Sequence, residues 1–226
     1  MTLYLGAEDA PAAHLPGVGD MPGTIPKLFI IESLDIEDEE HRKEGEILSR
    51  VLTMAGKAPI YRYVRTKAEL QHFIKEFQRS RYRWLHVSVH GNKNLIALTL
   101  DHLSGREFAR IVAPALKGGR RLFLSTCKAA TAEMAAEVFR RGDAISVAGP
   151  VKKIRFSDSA IFWSSFYHLM FKRERGRMLG RNVAEVMAFM GDAVGRQFRL
   201  HTPDGKGGVT ERLLPPKLSR SRKSGK

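Results

Sequence analysis

The sequence predicts an α/β fold in three layers, with a mostly parallel central sheet and helices on both of its faces. Three observations carry this. Short, continuous apolar runs, of which Leu28-Phe29-Ile30-Ile31 is the first, have the composition of strands buried on both faces. Between them lie stretches whose apolar residues recur at spacings of three and four, as on amphipathic helices. The two kinds of segment alternate along the chain, the order that crossovers between parallel strands require.

The elements follow in order. Residues 1–26 alternate prolines (Pro11, Pro16, Pro22, Pro26) with glycines, so they are expected to form a flexible leader outside the main domain of residues 27–214. After the first strand comes an acidic stretch, Asp35 to Glu46, running into Ile47, Leu48, Val51 and Leu52. It is expected to start a helix, with the acids at the positive end of the dipole and on a solvated face rather than in a metal site. Ile60 to Val64 alternates as a second strand, and Thr66 with Glu69 forms a capping box that opens a helix. Trp84 to Val89 is the third strand. Leu95 to Leu100 reads as a short hairpin arm, and Ser104 with Glu107 caps another helix reaching about Leu116. Arg121 to Thr126, then Ala144 to Ala148, are core strands separated by a helix over Ala130 to Arg141. Ser157 to Phe171 is a long aromatic-rich helix, its Trp163, Phe166, Tyr167 and Phe171 spaced for the core. Asn182 and Glu185 mark one more helix start, and Phe198 to Leu213 is a hairpin turning at Asp204 to Gly208. Residues 215–226 form a basic tail.

Composition narrows the class. With 43 % apolar residues in 226, the chain can bury a core without disulfides or metals. Cys127 is the only cysteine, which excludes an intramolecular disulfide and a cysteine-rich zinc site and fits a reducing compartment. No apolar run is long enough to span a bilayer, and the first 26 residues hold no Lys or Arg, unlike a secretory or transit signal. A cytoplasmic protein without membrane contact is expected. The formal charge of +14 favours acidic partners. Basic clusters at Lys172 to Arg177 and at Lys217 to Lys226 permit non-specific contact with nucleic acid, and no motif supports specific recognition. No metal and no cofactor are expected, since His41, His102, His168 and His201 are scattered without ligand spacing.

Chemistry in open α/β sheets gathers at the carboxyl ends of strands. Two strands end in reactive residues here. The third ends Val87-Ser88-Val89-His90-Gly91, with His86, Ser88 and His90 on one face; the fourth ends Leu124-Ser125-Thr126-Cys127. If these strands are neighbours, His90 and Cys127 emerge side by side. A free thiol, with a pKa of about 8.5, is only slightly ionised at neutral pH, and an adjacent imidazole takes its proton. Gly91 leaves room for a substrate carbonyl and offers a backbone N–H for an oxyanion hole. Each residue alone is commonplace. A lone Cys on an apolar strand is most often inert core, and a His at a strand end most often a surface residue.

Ser88-Val89-His90-Gly91 resembles the histidine motif of caspase-like (clan CD) cysteine peptidases, and Leu124 to Ala130 resembles the cysteine motif of their bacterial CHAT branch. The segment from Gly142 to Gly149, then Asp158 through Phe166-Tyr167, is similar to the strand, loop and helix that follow in CHAT proteins. The resemblance covers roughly Lys27 to Met190. It implies a caspase-like three-layer sandwich and a cysteine endopeptidase acting on protein substrates. His90 is then the general base and Cys127 the nucleophile, with an oxyanion hole from the N–H groups of Gly91 and Cys127. It also implies bacterial defence or programmed death, with a separate regulatory or sensor protein. One departure matters: metacaspases carry an acid two residues before the cysteine, where this chain has Ser125, the position expected to contact substrate. A catalytically silent caspase-like adaptor and a basic nucleic-acid-associated protein are the alternatives.

Overall fold

The computed structural model describes residues 25–173 and 179–215. Most of the expected leader, most of the basic tail, and Arg175 and Arg177 lie outside the described residues. β1 (Ile25–Ser33) begins two residues inside the expected leader. It is followed by a 3-10 turn (Ile36–Asp38), α1 (Glu44–Met54), β2 (Ile60–Tyr63), α2 (Lys67–Ser80) and β3 (Tyr82–Gly91). Next come β4 (Leu95–Ala97), β5 (His102–Ser104), α3 (Gly105–Val112) with a 3-10 extension to Leu116, β6 (Arg121–Ser125) and α4 (Ala132–Arg141). The chain then runs through β7 (Ser146–Pro150), α5 (Phe156–Arg173), α6 (Gly180–Ala193), β8 (Phe198–Pro203) and β9 (Val209–Leu214).

The sheet order is β2-β1-β3-β6-β7-β8-β9, with the β4–β5 hairpin attached to β3. β2, β1, β3, β6 and β7 are mutually parallel, and β8 and β9 close one edge antiparallel. The expected neighbours are therefore neighbours: β3 lies against β6 with Trp84 opposite Arg121 and Ser88 opposite Ser125.

Both faces of the sheet are covered, which is why the strands read as continuous apolar runs. On one face Phe29, Ile31, Leu85, Val87, Leu122 and Leu124 pack under α2, α3 and α4. On the other, Leu28, Ile30, Trp84 and Phe123 pack under α1, α5 and α6. Phe123 meets the rings of Trp163, Phe166 and Tyr167 at centroid separations of 5.4 to 5.8 Å, so the aromatic stripe of α5 is core. The Thr66–Glu69 and Ser104–Glu107 capping boxes both form.

Local signals also missed. Asn182 does not cap α6, which starts at Gly180 behind Leu179. The acidic stretch is not one helical face either: it divides into the 3-10 turn, a connecting segment and the first turn of α1. Its members face different partners, for Glu39 pairs with Arg65, Glu44 is buried, and Asp38 turns toward β3.

Candidate active site

The site follows from strand register. Ser88 and Ser125 are opposite one another on β3 and β6. His90 lies two residues further along β3, and Cys127 two residues beyond the end of β6 in the turn that follows it, so both stand at the carboxyl edge of neighbouring strands. The face of the Ser88–Ser125 pair is the one bearing Trp84 and Phe123, covered by α1 and α5. His90, Cys127 and Ser125 line one cavity of about 800 Å³, walled by the turn before α1 and the segment leading into α5.

His90 is held on two sides. Its Nε2 lies 2.9 Å from Asp38 Oδ2, and its ring meets Phe156 edge to face at 5.4 Å. Asp38 is itself fixed by Arg42, whose Nη1 donates to Oδ1 at 2.7 Å and whose guanidinium lies over the Phe156 ring. With Nε2 engaged by a carboxylate, Nδ1 is the ring nitrogen left for another partner. Cys127 is part-exposed, and the next residue, Lys128, has φ of 60°, the left-handed region that a non-glycine residue enters at a cost.

Gly91 is not on the cavity wall. It pairs with Ile96 of β4, and a side chain there would strike Leu95 O and Thr126 Oγ1, each 2.6 Å from a built Cβ. The glycine is needed for close approach of β4 and of the residue preceding Cys127. That is a different reason from the room for substrate that its position suggests.

Ser125 sits on the floor of the cavity in a buried polar chain. Its hydroxyl donates to Glu44 Oε2 at 2.8 Å and lies 2.7 Å from Ser159 Oγ. Glu44 Oε1 is 3.5 Å from His86 Nε2, and His86 Nδ1 lies 3.1 Å from the Tyr167 hydroxyl. Full burial pushes the Tyr167 hydroxyl well above the ordinary tyrosine range. Glu44 is positioned by the start of α1, which Glu32 of β1 holds from below: Glu32 accepts the N–H of Gly45 at 2.7 Å, the N–H of Glu46 at 3.3 Å and the Tyr61 hydroxyl at 2.8 Å. A Cβ on Gly45 would lie 3.0 Å from Ile30 Cγ2 and 3.2 Å from the Glu32 side chain, so any larger residue there needs its neighbours to give by a few tenths of an ångström. Burial raises the Glu32 carboxyl to about 7, against the lowering effect of those hydrogen bonds.

Two functional candidates, Asp38 and Glu44, escaped the sequence reading. Both lie in the acidic stretch expected to be a solvated face, and nothing in their spacing separates them from Glu40 or Glu46. Chain folding alone brings them to β3 and β6.

No family model matches the chain, and no curated protein matches it. Solved structures do. A secreted C11 cysteine protease from Bacteroides thetaiotaomicron, 8 % identical with a TM-score of 0.51, matches over 80 % of this chain and 67 % of its own. Caspase-1 from Spodoptera frugiperda, 15 % identical with a TM-score of 0.45, matches over 79 % of this chain and 84 % of its own. At such identities the likeness is one of fold alone: the chain shares its mostly parallel α/β fold with the C11 cysteine protease. The likeness does not single out the CHAT branch. Among the described residues no helix is long and apolar enough to cross a membrane.

Proposed function

We propose that this protein is a cysteine endopeptidase with Cys127 as nucleophile, His90 as base and Asp38 as the group that orients His90. The observation that carries the reading is the equal offset of His90 and Cys127 from the Ser88–Ser125 pair, with both lining one cavity. In this mechanism Asp38 holds the Nε2–H tautomer, so the Nδ1 lone pair receives the thiol proton. The thiolate attacks the scissile carbonyl carbon, and the resulting oxyanion is met by backbone N–H groups at the end of β6. Collapse of the tetrahedral species breaks the C–N bond, and His90 returns the proton to the leaving amine. Water, deprotonated by His90, then hydrolyses the thioester.

Glu44 supports a preference for a basic side chain in the substrate. Ser125 stands where metacaspases place an acid, and Glu44 brings a carboxylate onto the Ser125 hydroxyl from another element. The cavity wall also carries Arg42, Lys153, Arg155 and Arg196, of which Arg42 is paired with Asp38 and Arg196 with Asp158. Control by a separate sensor protein and a role in bacterial defence or programmed death belong to the same proposal and rest on the CHAT resemblance; a cytoplasmic setting belongs to it too and rests on the single cysteine.

The test is alkylation of Cys127 by iodoacetamide across pH, in wild type and His90→Ala, alongside proteolysis by Cys127→Ala. Fast labelling of wild type well below the free-thiol pKa, lost in His90→Ala, is the expected result. Equal labelling of both proteins, or proteolysis that survives Cys127→Ala, removes the peptidase reading and leaves a silent adaptor.

A further inference from the structure

The 3-10 turn between β1 and α1 holds a group that the peptidase mechanism does not use. Asp35 is its N-cap residue, yet the carboxylate makes no capping hydrogen bond. Instead Oδ2 lies 3.7 Å from His90 Nε2, on the nitrogen that Asp38 Oδ2 approaches to 2.9 Å. All three ligand atoms lie within 4.8 Å of one another. A carboxylate that forgoes its cap and faces an imidazole already served by another carboxylate needs an explanation beyond the hydrogen bond to His90.

Metal geometry supplies one. A tetrahedral zinc ion with ligands at about 2.0 Å separates them by roughly 3.3 Å along each edge. The two separations from His90 Nε2, 3.7 Å to Asp35 and 2.9 Å to Asp38, lie on either side of that value. Two carboxylates balance a divalent charge, and an imidazole nitrogen selects zinc-like ions over calcium or magnesium, which prefer six or more oxygens. Arg42 does not block the site, because it takes Asp38 Oδ1 and leaves Oδ2 to face His90.

We infer that Asp35, Asp38 and His90 form an inhibitory site for a zinc-class divalent cation. The ion takes the Nε2 lone pair, and the single proton of the neutral ring then sits on Nδ1. Nδ1 has no lone pair left to accept the Cys127 proton, and the enzyme is held latent until the ion leaves. The binding stands on the three ligands alone; the inhibition rests on the peptidase reading.

The experiment is calorimetric titration of the chelator-treated full chain with Zn2+. It is expected to show one site that persists in Cys127→Ala, is absent in His90→Ala, and is weakened at least roughly tenfold in Asp35→Asn. Ca2+ and Mg2+ at the same concentration should bind nowhere near His90. Asp35 is more than half exposed, so its substitution spares the fold, which the melting temperature checks. In a peptidase assay Asp35→Asn should keep its metal-free rate while needing at least ten times more Zn2+ for half-inhibition. Zinc binding unchanged in Asp35→Asn, or lost in Cys127→Ala, overturns the site. Binding as expected with unchanged inhibition in Asp35→Asn overturns the latency. A chain without any peptidase activity removes the enzyme reading and the inhibition with it, while the titration still decides the metal site.

Discussion

Gly91→Ala should disturb the site without touching a reactive atom. The new Cβ would lie 2.6 Å from Leu95 O and from Thr126 Oγ1, about 0.8 Å short of ordinary contact at 3.4 Å. Neither neighbour yields freely. Leu95 O accepts the Asn92 N–H at 2.9 Å and fixes the turn into β4, while Thr126 is buried and precedes Cys127. Overpacking of this kind costs about 1–3 kcal/mol. For a domain of this size that lowers the melting temperature by about 2–12 °C. The displacement passes along the backbone to Cys127, and a shift near 1 Å in a reacting group costs roughly a hundredfold in rate. Thermal unfolding and the Cys127 alkylation rate read the two effects separately. Thr126→Ala removes one of the two clashes, and its Oγ1 has no hydrogen-bond partner to lose. The double variant should therefore recover part of the stability, a coupling that a mutant cycle measures. Wild-type melting and alkylation in Gly91→Ala, or strict additivity with Thr126→Ala, would refute the close-approach reasoning.

Three further outcomes are expected. Asp38→Asn replaces a charge-assisted bond at 2.9 Å by a neutral one, a loss of about 1 kcal/mol or roughly fivefold in Cys127 alkylation; a rate and pH profile equal to wild type would deny Asp38 its orienting role. Glu32 holds its proton up to about 7 when folded against an ordinary 4.5, so the folded state binds more protons between those values and stability falls as pH rises through that window, by about 3 kcal/mol in total. Glu32→Gln should flatten the melting temperature between pH 5 and 8, and parallel curves for the two proteins would contradict the assignment. Phe123→Ala removes a fully buried ring packed on three aromatic side chains of α5 and should cost about 3–5 kcal/mol in denaturant unfolding; a loss under 1 kcal/mol would mean that the core collapses around the gap.

Local periodicity and capping signals made much of the fold legible. Leu28 to Ile31 and Arg121 to Ser125 announced doubly covered strands because both of their faces are apolar. Thr66 and Ser104 announced helix starts because a capping box closes within four residues. His90 and Cys127 stood out as candidates because each lies at or just beyond the carboxyl end of a core strand, where α/β chemistry gathers. What only the tertiary structure decided was partnership across the chain. The acidic stretch has one composition throughout, so no local rule separates Glu40, which faces solvent, from Asp38 against His90 or Glu44 beneath Ser125. Those roles arise because α1 packs on the sheet face that carries Ser88 and Ser125, placing residues 52 and 81 positions apart within hydrogen-bond reach. Pairing at that separation is set by the packing of whole elements, and a sequence pattern of period two or 3.6 carries no record of it.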